Sequence, residues 1–359
     1  MNIIIVSPSL NPAENVSGIS SVTKFIIDNN PTKNYIHFEL GKKDNEKGGI
    51  FRIKAIVKNI REWIKLLNKY PDAIIHYNFP LSKPSILRDP IFMWIAKFQK
   101  RKITIHIHGG VFLTASHIPY FINKILKNIF SWKVPFIVLS QMELQLIKNR
   151  YTCSNIYVLP NCIDLKEAKN FNRIININNP LTIGYLGRIA ETKGMDYLLN
   201  ACKLLKNKGI PFILRLAGKE EIPGQYINKF QKELKEEFIY DGVISGKNKE
   251  IFLKKLDLFI LPSFFEGLPI SLLECMSFGV VPITTNVGSI GEIIKNDYNG
   301  IFIKVKNSQS IYDKINFIQN NRQLIKELSK NAQETIFKNF SPEEYIRNLN
   351  NIYSSLLHT

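Results

Sequence analysis

No run of 18 apolar residues occurs in this 359-residue chain, so no segment is built to cross a bilayer as a helix. Cysteine is scarce. Cys153, Cys162, Cys202 and Cys275 show no C-x-x-C spacing, so a disulfide framework and a zinc site are disfavoured and buried thiols in a reducing cytoplasm are expected. No G-x-G-x-x-G follows the first apolar run; Val6-Ser7-Pro8-Ser9 stands there instead, which argues against a nicotinamide site. The opening Met1-Asn2-Ile3-Ile4-Ile5-Val6 lacks a basic flank and reads as a first strand, not a secretory signal. Acids are few as well, 30 against 48 lysines and arginines, for a net charge of +18. The deficit is uneven: residues 1–170 hold 24 basic and 11 acidic residues, the remainder 24 and 19. A basic first half implies an anionic partner, whether nucleic acid, phosphorylated substrate or membrane surface.

Hydrophobic residues make up 45% of the chain and charged residues 22%, enough for large cores. At about 150 residues per domain the length suggests two domains. Strand-like runs at 3–6, 35–39, 73–76, 103–107, 135–139 and 156–159 alternate with helical periodicity at 20–28, 52–69, 118–130 and 142–148. That alternation predicts parallel βα units. The pattern fails over the Asn-rich residues 166–180, a linker, and restarts with strands at 181–186, 212–217, 258–261, 280–284 and 300–303. The expected organisation is an α/β chain of two doubly wound, Rossmann-like domains, 1–170 and 171–340. Their ligand is expected in a cleft at the carboxyl ends of both sheets. Ser341-Pro342-Glu343-Glu344 is a capping box that opens a last helix over 341–359. Tyr345, Leu349, Ile352, Tyr353 and Leu356 recur along it at helical spacing, and it is expected to pack back toward the first domain.

Two constellations carry chemistry. The first runs Phe265-Glu266-Gly267-Leu268-Pro269-Ile270-Ser271-Leu272-Leu273-Glu274, from the end of a strand into a helix. Gly267 allows close backbone approach, the helix start at Ile270 and Ser271 offers free N–H groups to an anion, and Glu266 and Glu274 can hold two separate diols. The second is Gly184-Tyr185-Leu186-Gly187-Arg188, followed by Lys193-Gly194. Arg188 can grip a phosphate bidentately and Lys193 adds a mobile point charge, so the two suit a diphosphate. Taken singly, each constellation also reads as ordinary loop and helix-surface polarity.

Together they resemble the retaining glycosyltransferase family 4, of the GT-B fold. The resemblance rests on Gly187-Arg188 with Lys193-Gly194, Leu216-Ala217-Gly218, Pro262-Ser263 with Glu266-Gly267, the two glutamates, Asn299-Gly300, and the turn Pro160-Asn161-Cys162-Ile163-Asp164. It implies that Arg188 and Lys193 bind the nucleotide diphosphate and stabilise the leaving group. By the same resemblance Glu266 holds donor-sugar hydroxyls beside the backbone of Gly267, Leu268, Pro269 and Ile270, Glu274 takes the ribose hydroxyls, and Gly246 lies near the base. In the first domain it places Gly18 under the donor phosphates and His108 against the transferred sugar. His106 and His108 are expected on opposite faces of their strand, with His108 the one at the site; His76 and His117 are weaker candidates. Cys162 stands where the family has glycine, and Ser17-Gly18 where it often has a glycine pair.

The implied reaction moves a sugar from a UDP- or GDP-linked donor to an acceptor hydroxyl. No Asp-x-Asp occurs, so no metal and no other cofactor is expected. A nucleotide-sugar epimerase or a phosphorylase on the same fold, and a nucleic-acid binder, are the rivals; no nucleic-acid module is recognisable. The basic first half suggests a lipid-linked saccharide acceptor in bacterial surface-polysaccharide assembly, met by a cytoplasmic protein peripheral on the inner face of the membrane. A soluble acceptor stays open. In 52–69 the residues Ile53, Val57, Ile60, Ile64 and Leu67 form an apolar side, with Lys54, Lys58, Arg61 and Lys65 as a cationic stripe and Trp63 at an edge. With the cluster 97–102, this helix is expected to meet an anionic membrane surface.

Overall fold

A computed structural model describes residues 1–12, 14–15, 17–41, 50–174 and 179–357, with residues 50–53 described by their backbone alone. The chain forms two compact units, Met1–Cys162 with Pro342–Thr359, and Ile163–Ser341. The division therefore falls after Cys162 rather than after residue 170, and the last helix belongs to the first unit.

The first unit runs β1 (Asn2–Ser7), α1 (Gly18–Asn29), β2 (Asn34–Glu39), α2 (Ile50–Lys69), β3 (Ile74–Phe79) and α3 (Lys83–Phe98). It continues through β4 (Ile103–Ile107), a short α4 (Val111–Thr114), α5 (Tyr120–Phe130), β5 (Phe136–Val138), α6 (Gln141–Arg150) and β6 (Ile156–Val158). The second unit holds α7 (Lys166–Lys169), β7 (Leu181–Leu186), α8 (Met195–Asn207), β8 (Phe212–Ala217), α9 (Ile227–Leu234), β9 (Phe238–Gly242) and α10 (Gly246–Lys254). It closes with β10 (Leu258–Leu261), α11 (Ile270–Ser277), β11 (Val281–Thr285), α12 (Ile290–Ile293), β12 (Ile301–Ile303), α13 (Ser308–Asn320) and α14 (Leu324–Asn339), before α15 (Pro342–Ser355) returns to the first unit.

Each unit is built on a six-stranded sheet, ordered β2-β1-β3-β4-β5-β6 and β12-β11-β10-β7-β8-β9. Every strand pairing is parallel. Crossover helices cover a parallel sheet on both faces, so its inner strands are buried throughout rather than on alternate residues. All residues of β3, β4, β10 and β11 are buried. The strand order reverses between β1 and β3 in one sheet and between β7 and β10 in the other, and the carboxyl ends beside such a reversal diverge to leave a crevice.

Two expectations for α2 need correction, and two further elements carry little mark in the sequence. Trp63 is not at an edge of α2: it is fully buried, its indole N–H donates to the Phe92 carbonyl at 3.0 Å, and its ring packs on Phe38 and Phe92. Of the expected apolar side, Leu67 is buried and Ile60 and Ile64 are half-buried, whereas Val57 faces solvent beside the exposed Lys54, Lys58 and Arg61. The side chain of Ile53 lies outside the described residues. Helix α3, between β3 and β4, has no counterpart in the periodicity because Pro84 and Pro90 interrupt it; Pro84 sits in the first turn, where a missing N–H costs nothing. Strand β9, the short strand before Gly246, shows no alternating run, its middle residues being exposed.

Helix α15 fastens to the first unit through its expected apolar side. Tyr345, Leu349, Ile352 and Tyr353 are buried, and Tyr345 meets Phe25 of α1 edge-on at 5.5 Å. Two polar links join them: the Tyr353 hydroxyl lies 2.8 Å from His76 Nδ1, and Asn30 donates to Asn350 at 2.9 Å. All four cysteines are buried, and none forms a disulfide among the described residues. Among the described residues no helix is long and apolar enough to cross a membrane.

The start of the second unit is tied down by one guanidinium. Arg173 donates to the backbone carbonyls of Phe278 at 2.8 Å, Leu253 at 3.0 Å and Leu256, using three nitrogens in a planar fork. Replacing it by alanine strands three carbonyls at the C-terminal ends of α10 and α11. Arg173→Ala is expected to destabilise the second unit by about 2–4 kcal/mol, and Arg173→Lys to recover little of it, read as the shift in the denaturation midpoint of the full chain.

Candidate active site

Two loops leave the sheet at the reversal between β7 and β10. The first turns through Gly187 and Arg188 into a single tight turn, Glu191–Lys193, closed by Gly194 in the left-handed region at φ 76°. The second runs from Pro262 to Pro269 and into α11. They touch through their backbones: Phe264 N–H donates to Thr192 O at 2.9 Å, and a Cβ on Gly194 would stand 2.2 Å from Pro262 O. Only glycine allows that approach. It brings Lys193 Nζ to 2.5 Å from Glu266 Oε1, both side chains mostly shielded. Arg188 is drawn into the same group, because the buried Tyr185 donates its hydroxyl to the Arg188 carbonyl at 2.5 Å. Burial raises the Tyr185 phenol well above its ordinary value, the Glu266 carboxylate raises it further, and the Arg188 guanidinium opposes them. Arg188, Lys193 and Glu266 thus share one locality at the crevice end of the second sheet.

The Glu266 loop is braced from behind. Thr285 Oγ1 donates to Ser263 O at 2.6 Å and Ser289 N–H to Gly267 O at 3.1 Å. Gly288, at φ 57°, lies so close that a Cβ there would be 1.9 Å from Glu266 O. Beyond the loop, α11 opens at Ile270 with Pro269 at its cap, its first-turn N–H groups facing away from the helix body. Leu272, Leu273, Cys275 and Met276 anchor it in the core. Glu274 stands on the opposite side and pairs with Lys249 of α10. Lys249 has no signature in the sequence: in a lysine-rich chain one more lysine carries no signal, and only its ion pair with Glu274 reveals it. Gly246 is exposed and begins α10 at φ 52° with open space around it. Asn299 is buried and used internally, accepting from Lys295 N–H and donating to Ile293 O and Thr335.

The remaining candidates belong to the first unit. Gly18 is the exposed first residue of α1, whose start is capped by Ser17 accepting from Ser20 N–H at 3.2 Å. His108 follows β4 directly and is half-buried. The expectation that His106 and His108 face opposite ways is wrong. Residues two apart on a strand share a face, and the two rings stack with centroids 4.1 Å apart. His76 lies behind them, 3.2 Å from His106 Nδ1, and serves the interior, whereas His117 is exposed.

The chemistry offered by the second unit is specific. A guanidinium and an ammonium beside a helix start suit a diphosphate. Carboxylates at both ends of that helix turn suit hydroxyl groups, which need strong acceptors. The family model described as glycosyl transferases group 1 matches residues 167–335, the region holding all these groups.

An uncharacterized glycosyltransferase of Methanocaldococcus jannaschii is 25% identical over 192 residues, 52% of this chain and 48% of that protein. Two further relatives are named by substrate. The N,N'-diacetylbacillosaminyl-diphospho-undecaprenol alpha-1,3-N-acetylgalactosaminyltransferase of Campylobacter jejuni is 25% identical over 61% of this chain and 60% of its own length. The UDP-Gal:alpha-D-GlcNAc-diphosphoundecaprenol alpha-1,3-galactosyltransferase of Escherichia coli is 23% identical over 84% and 81%. The chain spans about half the length of the first curated relatives it matches. Among solved structures, the sucrose-phosphate synthase of Thermosynechococcus elongatus superposes with a TM-score of 0.82 at 16% identity, covering 99% of both chains. Anabaena HepE in complex with UDP-glucose gives 0.73 at 15%, covering 99% of this chain and 100% of that one. These likenesses show the fold, which is GT-B.

The backbone approach at Gly288 makes a direct test of how the loop is held. Gly288→Ala combines a left-handed φ with a collision against Glu266 O and is expected to destabilise by more than about 1 kcal/mol. Gly18→Ala, with nothing within 4 Å of its Cβ, is expected to change stability by less than about 0.5 kcal/mol. Thermal denaturation of the two variants measures both.

Proposed function

From a chain whose residues 167–335 carry the glycosyl transferases group 1 domain, we propose a transfer of a sugar from a nucleoside-diphosphate sugar to an acceptor hydroxyl. The observation that carries this reading is the convergence of Arg188, Lys193 and Glu266 where β7 and β10 end, with Glu274 on the adjoining helix. As the bond from the anomeric carbon to the diphosphate lengthens, negative charge builds on the departing phosphate. Arg188 and Lys193 stabilise it as preorganised cations, with no bound metal required. Glu266 holds donor-sugar hydroxyls and also positions the Lys193 ammonium. Glu274 accepts from the ribose diol, with Lys249 orienting its carboxylate, and Gly267 to Ile270 lend backbone N–H groups. Retention of anomeric configuration follows from the family-4 resemblance and belongs to the same proposal.

This division of labour has a calorimetric signature. Glu274→Ala is expected to weaken binding of a nucleoside diphosphate by roughly 1.5–3 kcal/mol, the range for hydrogen bonds to a charged group. Glu266→Ala should leave that affinity nearly unchanged and lower turnover, since its partner is the sugar. EDTA should alter neither titration. Equal binding losses in both variants, or loss of wild-type binding in EDTA, would overturn the assignment.

The acceptor we propose is a lipid-linked saccharide, met at an anionic membrane surface from the cytoplasmic side. Two relatives are named for diphospho-undecaprenol substrates. The surface of the first unit supports the location. Between Asp72 and Glu143 there are nine lysines and arginines and one acid, Asp89, which is buried and held by Arg88 at 2.5 Å. Leu87, Trp94 and Phe98 recur along the outer side of α3, and Phe121 of α5 is exposed with them; Trp94 and Asn128 link the two helices at 2.9 Å. Phe98 is 90% exposed. Aromatics flanked by lysines suit the bilayer interface, whereas a second copy would bring like charge to like. Each cation near an anionic leaflet contributes about 1 kcal/mol. Sedimentation with anionic liposomes is therefore expected at low salt, to fall steeply as salt rises, and to fall when Lys54, Lys58, Arg61 and Lys65 become serine. Absence of binding at low salt would favour a soluble acceptor.

A further inference from the structure

The orientation of His108 is set from inside the first unit. Asn78, on β3, is buried, and its amide is fully committed: Nδ2 donates to Val6 O at 2.8 Å and to Thr23 Oγ1 at 3.3 Å, while Oδ1 lies 2.6 Å from His108 Nε2. A backbone carbonyl can only accept, so the amide nitrogen must face Val6 and the amide oxygen must face the histidine. An amide oxygen also only accepts, so Nε2 of His108 carries the proton. The other ring nitrogen has no protein partner among the described residues, yet it is not sealed in as His106 Nε2 is.

The surroundings keep this ring neutral. Burial is the larger cause, and the charge His76 could carry is the second; both hold His108 well below the ordinary histidine range. Asn78 and His76 face it from β3, His106 stacks on it from β4, and Thr23 of α1 backs Asn78. His76 and His106 are themselves pushed down, by burial above all.

We propose that Asn78 is a positioning residue for the transfer: it locks His108 as the Nε2–H tautomer, so that Nδ1, a pure acceptor, is the atom offered to a hydroxyl of the donor sugar. This rests on the reading of His108 as the residue that faces the transferred sugar. A neutral acceptor there grips a sugar O–H without adding positive charge beside an anomeric carbon that is becoming positive. Asn78 reaches the sugar only through His108.

The tautomer can be read without any activity. Nitrogen-15 histidine NMR of the full chain, with the His108 signals identified by their loss in His108→Gln, is expected to show the proton on Nε2 as pH is lowered through the ordinary histidine value of about 6.5. A proton on Nδ1, or a mixture of tautomers, overturns the lock. In turnover assays Asn78→Leu is expected to lower kcat on the order of tenfold to a hundredfold through misplacement of the ring, with nucleoside-diphosphate affinity unchanged. Asn78→Asp keeps the acceptor but adds a negative charge that favours imidazolium and raises the folded pKa of His108. Its kcat should approach wild type at high pH and fall as pH drops through that raised value, where the wild type stays level. Wild-type kcat in Asn78→Leu, or a wild-type pH profile in Asn78→Asp, overturns the positioning role. A chain with the Nε2–H tautomer and no turnover of any nucleotide sugar retains the lock and overturns the transferase reading instead.

Discussion

Because every strand pair in both sheets is parallel, each strand must be followed by a crossover that carries the chain back to where it began. All loops that leave the carboxyl ends of the strands therefore gather along one edge of each sheet. Where the order reverses, two neighbouring loops diverge instead of packing together. That constraint puts the turn after β7 next to the loop after β10, although Ile270, where that loop's helix starts, lies 82 residues after Arg188. The Lys193–Glu266 pair, the stitch between Phe264 and Thr192, and the close passage of Gly194 under Pro262 are local consequences. None of them would form in a sheet of alternating direction.

The two units use their interiors differently. In the second, β10 is apolar throughout and the charged candidate residues lie in the loops and helix beyond the strands, so they rest on a rigid, dry base. In the first, β3 and β4 carry His76, Asn78, His106 and Thr104 inside the core. A buried polar side chain is costly unless its partner is in place. Each such pairing therefore ties one element to another: Asn78 to β1 and α1, and His76 to α15. Polar order in this core fixes angles between elements that apolar contacts alone would leave looser.

Much of this was legible in the sequence, for identifiable reasons. The strand runs, the linker and the Phe265-to-Glu274 stretch are local patterns, with residues a few positions apart doing related work. The pairs that assemble the site are not local. Lys249 with Glu274 and Asn78 with His108 join residues 25 and 30 positions apart, and nothing at either position announces the other. Helix α3 was hidden by its prolines and by an outer side that is itself apolar, Leu87, Trp94 and Phe98 facing solvent where polar residues are the rule. Trp63 was misread because a lysine-flanked tryptophan looks the same in sequence whether it faces a bilayer or the Phe92 carbonyl. The face shared by His106 and His108, by contrast, follows from strand periodicity alone.

The return of α15 to the first unit has a consequence for how the protein is made. Residues 342–359 follow the whole second unit in the chain, yet they supply Tyr345, Leu349, Ile352 and Tyr353 to the first core. The ribosome delivers the first 162 residues and then the 179 of the second unit before that core can be completed. At ordinary elongation rates the delay is roughly 10–40 s. Throughout it Phe25 lacks the Tyr345 ring and His76 lacks the Tyr353 hydroxyl, so the usual order of synthesis is inverted. The second unit, all of whose strands are contiguous, can close on the ribosome first, and the amino-terminal unit is sealed only by a helix that emerges after it.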